Sequence, residues 1–417
     1  MSEKSYLKYL EQPEFREILQ KARQLKSKVF SDILDGEGNQ YVDLVQEGGG
    51  VLGIALVGYT YVLEEAGIRF FHLAGTSAGA INTLVMAGIG TIEKRKSEEI
   101  LQALAAQNLF DFVDGDPVLK KLLQRVIDGT PLKKIKWSLL WNLRKIKSAI
   151  LDHLGLNPGN QFETWLKTLL ENSASGIKTI GELLELRQKD HFPASLHHRH
   201  GIALNYTEAN MHIITADITT QTKVQFPKFA PLYWGENFRE ISPARMVRAS
   251  MSVPFFFIPF EITGIPGAGG PATPLWHQLA GYKGTIPPAV KFVDGGMISN
   301  FPINVFHNQP GVLPNKPTFG VKLSVYREQF ADVDDIGGFI GSMVSTMRHD
   351  GDIEFLINNP DFNQLICYID ADKDFNWLNF NMPEEKKQKL FLLGAQKALD
   401  FLETFDWEAY KKIRVPV

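Results

Sequence analysis

The stretch IRFFHLAGTSAGA, residues 68–80, decides the fold. Its first six residues are mostly aliphatic and aromatic, which predicts a buried strand. A run of small residues follows, and a helix predicted over Ala80 to Met86 begins directly after it. Upstream, Tyr41 to Val45 predicts an earlier strand and Ile54 to Glu65 a helix. Strands and helices alternating in this order are typical of a parallel sheet with crossover helices, so we predict an α/β fold.

The composition is that of a soluble globular protein. The 417 residues include 44 Lys and Arg against 47 Asp and Glu, a net charge of −3, and 44% are hydrophobic. This balance argues against intrinsic disorder and against a nucleic-acid-binding protein. The one cysteine, Cys367, excludes an intrachain disulfide and a multi-cysteine zinc site, and we expect no metal or other cofactor. The polar N-terminus lacks an apolar signal core, which predicts a cytoplasmic protein.

The chain divides into three predicted parts. Residues 1–40 form an N-terminal helical arm, and residues 41–325 form the main α/β domain. Within that domain, residues from about 93 to 186 have a helical pattern without clear strands, which we interpret as a helical cap insertion. Residues 326–417 complete the α/β body and end in a closing helix. Later strands are predicted at 211–216, 223–225, 255–260, 290–293, 318–323 and 365–369, and a long loop at 264–288.

One segment is long enough to be tested as a membrane span. Residues 73–92 contain no charged residue, and 20 residues suffice to cross a bilayer. The segment is, however, rich in Gly, Ser, Thr and Asn. We therefore interpret it as a buried strand, turn and helix.

Gly75-Thr76-Ser77-Ala78-Gly79 fits the pattern Gly-x-Ser-x-Gly. A nucleophilic serine between a strand and a helix sits on a cramped turn, so Gly75 and Gly79 must be small. The helix N-terminus beside Ser77 can then stabilise developing negative charge. The pattern alone also fits a glycine-rich turn without chemistry, but the strand before it and the helix after it favour a nucleophile.

Gly48-Gly49-Gly50 follows the first strand and opens the first helix. Consecutive glycines can turn their N–H groups toward one anion, such as the oxyanion of an acyl-transfer reaction. The surrounding residues also match Gly-x-Gly-x-x-Gly, but the next strand ends without the acidic residue that a dinucleotide site requires. No Gly-Lys-Ser/Thr follows, which excludes a P-loop. A purely structural glycine turn stays open.

Asp294 ends a predicted strand and precedes Gly295 and Gly296. Carboxylates at the carboxyl edge of a parallel sheet lie where ligands bind, so Asp294 is a candidate base. An ordinary Asp-Gly turn is the alternative.

Together, the glycine run, the serine turn and Asp294-Gly295-Gly296 resemble the patatin-like phospholipase family. Residues 213–220, 248–254 and 294–302 also match it, and the resemblance covers about residues 42–304. It implies a three-layer α/β/α fold with a mostly parallel sheet and a Ser–Asp dyad without histidine. Ser77 would be the nucleophile, Asp294 the base, and the N–H groups of Gly48, Gly49 and Gly50 the oxyanion hole. The reaction implied is metal-free hydrolysis of acyl esters in phospholipids or related glycerolipids.

Two residues depart from the family pattern. The family's loop usually begins with Asp and carries Arg or Lys where this chain has Glu47 and Leu52. Loss of the cation supports one alternative, a catalytically silent or regulatory lipid-binding protein of the same fold. A third hypothesis is an acyltransferase, since an alcohol can resolve an acyl-enzyme as well as water can. A Ser–Asp–His triad using His307 or His349 is the competing arrangement.

Residues 131–150 predict contact with an anionic membrane surface. They contain Trp137, Trp141 and no acidic residue, and a basic amphipathic helix with tryptophan is typical of peripheral membrane binding. A cap helix with a solvated cationic edge is the alternative. We expect membrane lipid as the partner and no nucleic acid, and leave the oligomeric state open. The basic residues of the segment 131–150 are Lys133, Lys134, Lys136, Arg144, Lys145 and Lys147.

Met251 and Phe255 to Phe257 predict either an acyl pocket or a core strand.

Overall fold

The computed structural model describes residues 5–127, 130, 141–306, 312–324, 342, 346 and 353–414. Within these residues ten strands form one mixed sheet, and two further strands form a small separate sheet. The strands are β1 (Ile33–Leu34), β2 (Gln40–Gln46), β3 (Ile68–Thr76), β4 (Gly155–Asn157), β5 (His197–His198), β6 (Met211–Asp217), β7 (Thr222–Phe226), β8 (Phe255–Phe257), β9 (Phe260–Thr263), β10 (Ala289–Asp294), β11 (Thr318–Lys322) and β12 (Ile366–Tyr368).

The main sheet runs in the order β12-β11-β2-β3-β6-β10-β9. Its first five strands are parallel, and β10 and β9 continue it antiparallel. The short strands β1, β5 and β7 are also antiparallel additions. The predicted α/β fold is therefore confirmed, with a mixed sheet whose centre is parallel.

Helices connect and cover these strands. The helices are α1 (Leu7–Leu10), α2 (Pro13–Gln24), α3 (Gly53–Glu65), α4 (Ala78–Gly88), α5 (Ser97–Ala106), α6 (Pro117–Ile127), α7 (Leu143–Leu151), α8 (Asn160–Asn172), α9 (Ile180–Leu186), α10 (Ala230–Trp234), α11 (Ala244–Ser250), α12 (Pro274–Ala280), α13 (Ile353–Asn358), α14 (Glu384–Thr404) and α15 (Trp407–Arg414). The segment from about 93 to 186 is mostly helical where it is described, and its role as a cap stays a prediction. It also contains the short strand β4, which its sequence pattern did not reveal.

The apolar helix α3 is buried around its circumference because α14, α5, α2 and the strand β3 all pack against it. Two glycines permit the close approach of α14. A β-carbon at Gly58 would collide with the backbone of Phe391, and one at Gly394 would collide with the backbone of Ala55. Since α3 begins just after the glycine run, the packing of α14 on α3 also helps to position the glycine run.

The elements at 73–92, 255–263 and 274–280 bear on three predictions made from the sequence. Residues 73–92 do form strand, turn and helix, and none of the described helices is long and apolar enough to cross a membrane. The single strand predicted at 255–260 is wrong, because β8 pairs with β4 while β9 pairs with β10. The predicted loop at 264–288 contains α12, which begins at Pro274, a residue favoured in the first turn of a helix.

Candidate active site

Ser77 forms the sharp turn between β3 and α4. Its backbone has φ +50° and ψ −115°, a conformation that costs a non-glycine residue about 1–3 kcal/mol. A β-carbon at Gly75 would collide with the backbone of Gly79, and one at Gly79 would collide with the carbonyl oxygen of Gln46. Only glycine fits at either position, as the pattern around the serine predicted.

Ser250 stabilises this turn through hydrogen bonds of its side chain. Its hydroxyl accepts a hydrogen bond of 2.9 Å from the N–H of Ser77 and donates one of 2.6 Å to the carbonyl of Ile214. Ser250 is fully buried at the end of α11. No motif in the sequence predicts a role for it, although it lies within one of the stretches that carry the family resemblance.

Asp294 is the last residue of β10 and is also buried. Its N–H donates to the carbonyl of Ser252 at 2.9 Å, and its Oδ1 accepts from the N–H of Gly296 at 2.6 Å. Ser252 is two residues beyond Ser250. One short segment therefore positions the backbone of both predicted catalytic residues.

The register of the sheet brings the end of β3, which precedes Ser77, close to Asp294 at the end of β10, although β10 runs antiparallel to β6. Strand β6 lies between β3 and β10, and Thr76 and Asp294 pair with adjacent residues of β6. The turn after Asp294 packs against Thr76, because a β-carbon at Gly295 would lie 3.0 Å from Thr76 Cγ2. The Thr76 hydroxyl also donates to the carbonyl of Ser299 at 2.8 Å. The two turns are thus in contact.

Arg248 stabilises the segment from Ser250 to Ser252, which makes the hydrogen bonds to Ser77 and Asp294. Its guanidinium donates to Ser252 Oγ at 2.6 Å and to the carbonyls of Pro158 and Ile258 at 2.5 and 2.8 Å. Burial lowers the pKa of Arg248 to about 10, so the guanidinium remains charged at neutral pH.

The glycine run lies beside Ser77. A β-carbon at Gly48 would lie 3.1 Å from Ser77 Cβ. The Gly48 N–H already donates to the carbonyl of Asn300 at 3.0 Å. The N–H groups of Gly49 and Gly50 make no hydrogen bond to another described residue. Of these two glycines, Gly50 also lines the cavity described below.

Trp377 fixes the far end of this loop. Its carbonyl accepts a hydrogen bond of 3.0 Å from the N–H of Val51. Gly50 has φ +55°, and a β-carbon there would collide with the same carbonyl. Gly50 is thus required both by its left-handed backbone and by the close approach of Trp377.

Glu47 and Leu52, the two residues that depart from the family pattern, are both buried. The Glu47 carboxylate accepts hydrogen bonds from the N–H of Leu323 at 2.6 Å and from the N–H and hydroxyl of Ser324 at 2.9 and 2.8 Å. The Lys322 ammonium lies 3.4 Å from the same carboxylate. Glu47 therefore ties the loop to β11, while Leu52 packs in the main hydrophobic core.

A cavity of about 840 Å³, including its open mouth, extends from Ser77. Its walls come from the glycine run, α3, α4, α5, α8 and the segments near 251–257 and 377–380. Almost all lining side chains are apolar, and the exceptions besides Ser77 include Asn82. Large side chains from four separate parts of the chain form its walls: Phe112, Phe162, Trp165, Phe257, Trp377 and Phe380.

A family model described as Patatin-like phospholipase matches residues 44–307. That range contains the glycine run, Ser77 and Asp294. The chain belongs to the patatin-like phospholipase family.

Two individual proteins are also similar to the chain. The uncharacterized protein YqhO of Bacillus subtilis (strain 168) is 29% identical over 370 residues, which cover 88% of this chain and 100% of that protein. The crystal structure of VipD from Legionella pneumophila aligns with 90% of this chain and 70% of its own, at 14% identity and a TM-score of 0.34.

Part of the cavity lies outside the range that the family model matches. Trp377, Leu378 and Phe380 line it although they are about 70 residues beyond the end of the match (377 − 307). Sequence reasoning missed them because a lining residue needs only an apolar surface, which no motif encodes. Phe112, Phe162 and Trp165 were missed for the same reason.

The phenylalanine run is divided between the interior and the surface. Met251 and Phe257 line the cavity, as the acyl-pocket interpretation predicted, and Phe256 stacks on Phe380 with 5.2 Å between ring centroids. Phe255, by contrast, is 47% exposed.

Several predicted residues lie outside the described part of the chain. These are the alternative bases His307 and His349 and the basic-segment residues Lys133, Lys134, Lys136 and Trp137. The rest of the basic segment is exposed on and just before α7: Trp141, Arg144, Lys145 and Lys147. Among the described residues, no group of three or more His, Cys, Asp or Glu is placed to hold a metal ion.

Proposed function

We propose that the protein is a serine acyl hydrolase that cleaves fatty-acyl esters of phospholipids or related glycerolipids. The observation that carries this proposal is the position of Ser77, on a strained strand-to-helix turn that opens into a largely apolar cavity. A cavity lined almost entirely by apolar side chains suits an acyl chain, with the ester at its polar end.

In the first half of the reaction, Asp294 accepts the hydroxyl proton of Ser77 as Ser77 Oγ attacks the ester carbonyl. The carbonyl π electrons move to oxygen and give a tetrahedral oxyanion. The carbon–oxygen bond to the glycerol then breaks, Asp294 returns the proton to the departing alcohol, and an acyl ester remains on Ser77. In the second half, water attacks this ester while Asp294 takes its proton. The fatty acid leaves and Ser77 recovers its hydrogen.

The oxyanion is stabilised by backbone N–H groups. Gly49 and Gly50 supply two from the loop beside Ser77. The N–H of Ala78 is a third, because the first N–H groups of a helix have no partner within it and lie at its positive end. Leu52 stands where the family usually has Arg or Lys, so a side-chain cation is missing there. Because none of the backbone donors is lost, we expect catalysis to persist.

Fatty-acid release from a panel of glycerolipids, with wild type beside Ser77→Ala and Asp294→Asn, tests the proposal. Each substitution should lower release by about 10³-fold or more, while the thermal midpoint changes little. His307→Ala and His349→Ala should retain activity. Loss of activity in either histidine variant, with Asp294→Asn active, would replace the dyad with a triad.

A fluorophosphonate probe separates an enzyme from a silent lipid-binding protein. The probe should label wild type at Ser77 and leave Ser77→Ala unlabelled. No labelling of a folded wild type would favour the binding protein. If an added alcohol acceptor diverts most acyl groups from fatty acid to a new ester, the protein is an acyltransferase.

A further inference from the structure

Four large apolar side chains are exposed on α7 and on the small sheet formed by β4 and β8. We call these four the apolar patch: Trp141 just before α7, Leu151 at its end, Leu154 before β4, and Phe255 at the start of β8. They are 86%, 62%, 44% and 47% exposed. Helix α7 packs against β4, and β4 pairs with β8, so the four side chains belong to contiguous elements.

Two residues of the apolar patch have strained backbones. Leu154 has φ +60° and Phe255 has φ +65°, the left-handed region that glycine adopts without steric cost. They lie close together, because Gly155 pairs with Phe255. The chain therefore carries exposed apolar side chains at two adjacent positions where glycine would fit better. Such strain indicates that the side chains themselves serve a purpose.

The apolar patch is continuous with the wall of the cavity. Phe257, two residues beyond Phe255 in β8, lines the cavity, and Met251 and Val253 line it just upstream. Phe162 and Trp165 of α8, which follows β4, line it as well. Any surface in contact with the apolar patch would therefore lie beside the cavity that contains Ser77.

Helix α7 adds positive charge to this surface. Arg144, Lys145 and Lys147 are exposed. Lys145 forms an ion pair of 2.8 Å with Asp116, whereas Arg144 and Lys147 make no ion pair with a described residue. A second acidic residue, Asp152, follows α7 and accepts a hydrogen bond from Ser148. Exposed apolar side chains beside cations suit an anionic bilayer, because the apolar side chains can insert into its interior and the cations are attracted to its head groups.

We propose that the apolar patch and the cations of α7 dock the protein on anionic lipid bilayers. The proposal deepens the proposed function, on which it rests for the identity of the substrate. Docking itself needs no catalysis, so it can be measured on full-length Ser77→Ala.

Co-sedimentation with vesicles of phosphatidylcholine, alone or mixed with phosphatidylglycerol, tests the proposal. The anionic vesicles should bind more protein. Leu154→Gly with Phe255→Gly should weaken binding to them about tenfold or more. Arg144→Gln with Lys147→Gln should weaken binding to anionic vesicles about fivefold for each charge removed. The same variant should bind neutral vesicles as wild type does. Ile202→Ser, at another exposed apolar residue, is the matched control and should leave binding unchanged.

The glycine variants also separate docking from a structural role. Because glycine relieves the backbone strain, their thermal midpoints should stay equal to wild type or rise. A lowered midpoint with unchanged vesicle binding would overturn the proposal. So would a wild type that binds neither vesicle but self-associates through the same residues, since the surface would then belong to a second copy.

A third measurement keeps docking separate from the chemistry. In otherwise native protein, the glycine variants should hydrolyse a soluble short-chain ester like wild type but hydrolyse vesicle phospholipid more slowly. Vesicle binding without any labelling of Ser77 would leave docking intact and remove the hydrolase proposal.

Discussion

The N–H of Ser77 donates a hydrogen bond of 2.9 Å to the hydroxyl of Ser250, which lies 173 positions later in the chain. The same hydroxyl donates to the carbonyl of Ile214 in β6. One buried side chain thus joins the strained serine turn to the neighbouring strand. Ser250 is a positioning residue, because it acts on the backbone of Ser77 and not on the substrate.

Ser250→Ala should remove both hydrogen bonds and leave a buried N–H and a buried carbonyl without their partner. We expect stability to fall by about 1–3 kcal/mol and fatty-acid release to fall about tenfold to a hundredfold, because Ser77 loses its orientation. Ser173→Ala is the control, since that hydroxyl donates to the carbonyl of Leu170 and neither residue lines the cavity. Equal loss of activity in the two variants would contradict a specific role for Ser250.

Gly50→Ala should disturb the oxyanion loop. The new β-carbon would strain a backbone at φ +55° and collide with the carbonyl of Trp377, which would displace the Gly49 and Gly50 N–H groups. Gly201→Ala isolates the strain, because Gly201 has φ +71° and nothing within 4 Å of an added β-carbon. Both variants should lose about 1–2 kcal/mol of stability from the left-handed backbone, measured by urea unfolding. Gly50→Ala alone should also lose esterase activity, and a fully active Gly50→Ala would exclude this loop from catalysis.

Gly394→Ala should destabilise the protein, although alanine ordinarily stabilises a helix by about 0.5–1 kcal/mol relative to glycine. The β-carbon would meet the backbone of Ala55 and push α14 away from α3, at a cost of about 1–3 kcal/mol. Gln396→Ala, on an exposed position of the same helix, should change stability by less than about 0.5 kcal/mol. Urea unfolding checks both values. A gain in stability for Gly394→Ala would show that the helices are not in close contact.

The folded state should lose stability in mild acid, in part through His212. Burial and, to a smaller extent, the charge of Lys228 together lower the pKa of His212 to about 4. Below about pH 6.5 the unfolded chain binds a proton at this imidazole that the folded chain does not, so stability falls as the pH drops from about 6.5 to about 4. Burial lowers the pKa of His72 in the same direction.

The urea midpoint of His212→Gln should therefore fall less than that of wild type between about pH 7.5 and about pH 5. His212 Nδ1 is buried without a hydrogen-bond partner, so this substitution removes a titrating group without breaking a bond at that atom. Equal decreases in the two proteins would show that other groups account for the acid sensitivity.

Much of the local structure could be predicted from the sequence. The strand and helix around residues 68–88 were recognisable because a buried parallel strand is continuously apolar and the turn after it admits only small residues. The glycines at 75 and 79 are required by atoms only a few residues away or in the adjacent strand, which is why a short motif records them. The division of residues 255–263 between two sheets was not predictable, since a run of phenylalanines suits either strand and the bend between them depends on the partners β4 and β10.

The sequence by itself determined the chemistry available at the turns: a serine that only glycine neighbours can accommodate, a run of glycines, and a carboxylate at the end of a strand. It could do so because short-range steric limits leave few residue types for such turns. The tertiary structure alone decided that Ser250 orients Ser77, that the Gly48 N–H is occupied by Asn300, and that Trp377 helps to form the cavity. These contacts join residues far apart in the chain, and each depends on the packing of whole elements, which no single stretch of sequence encodes.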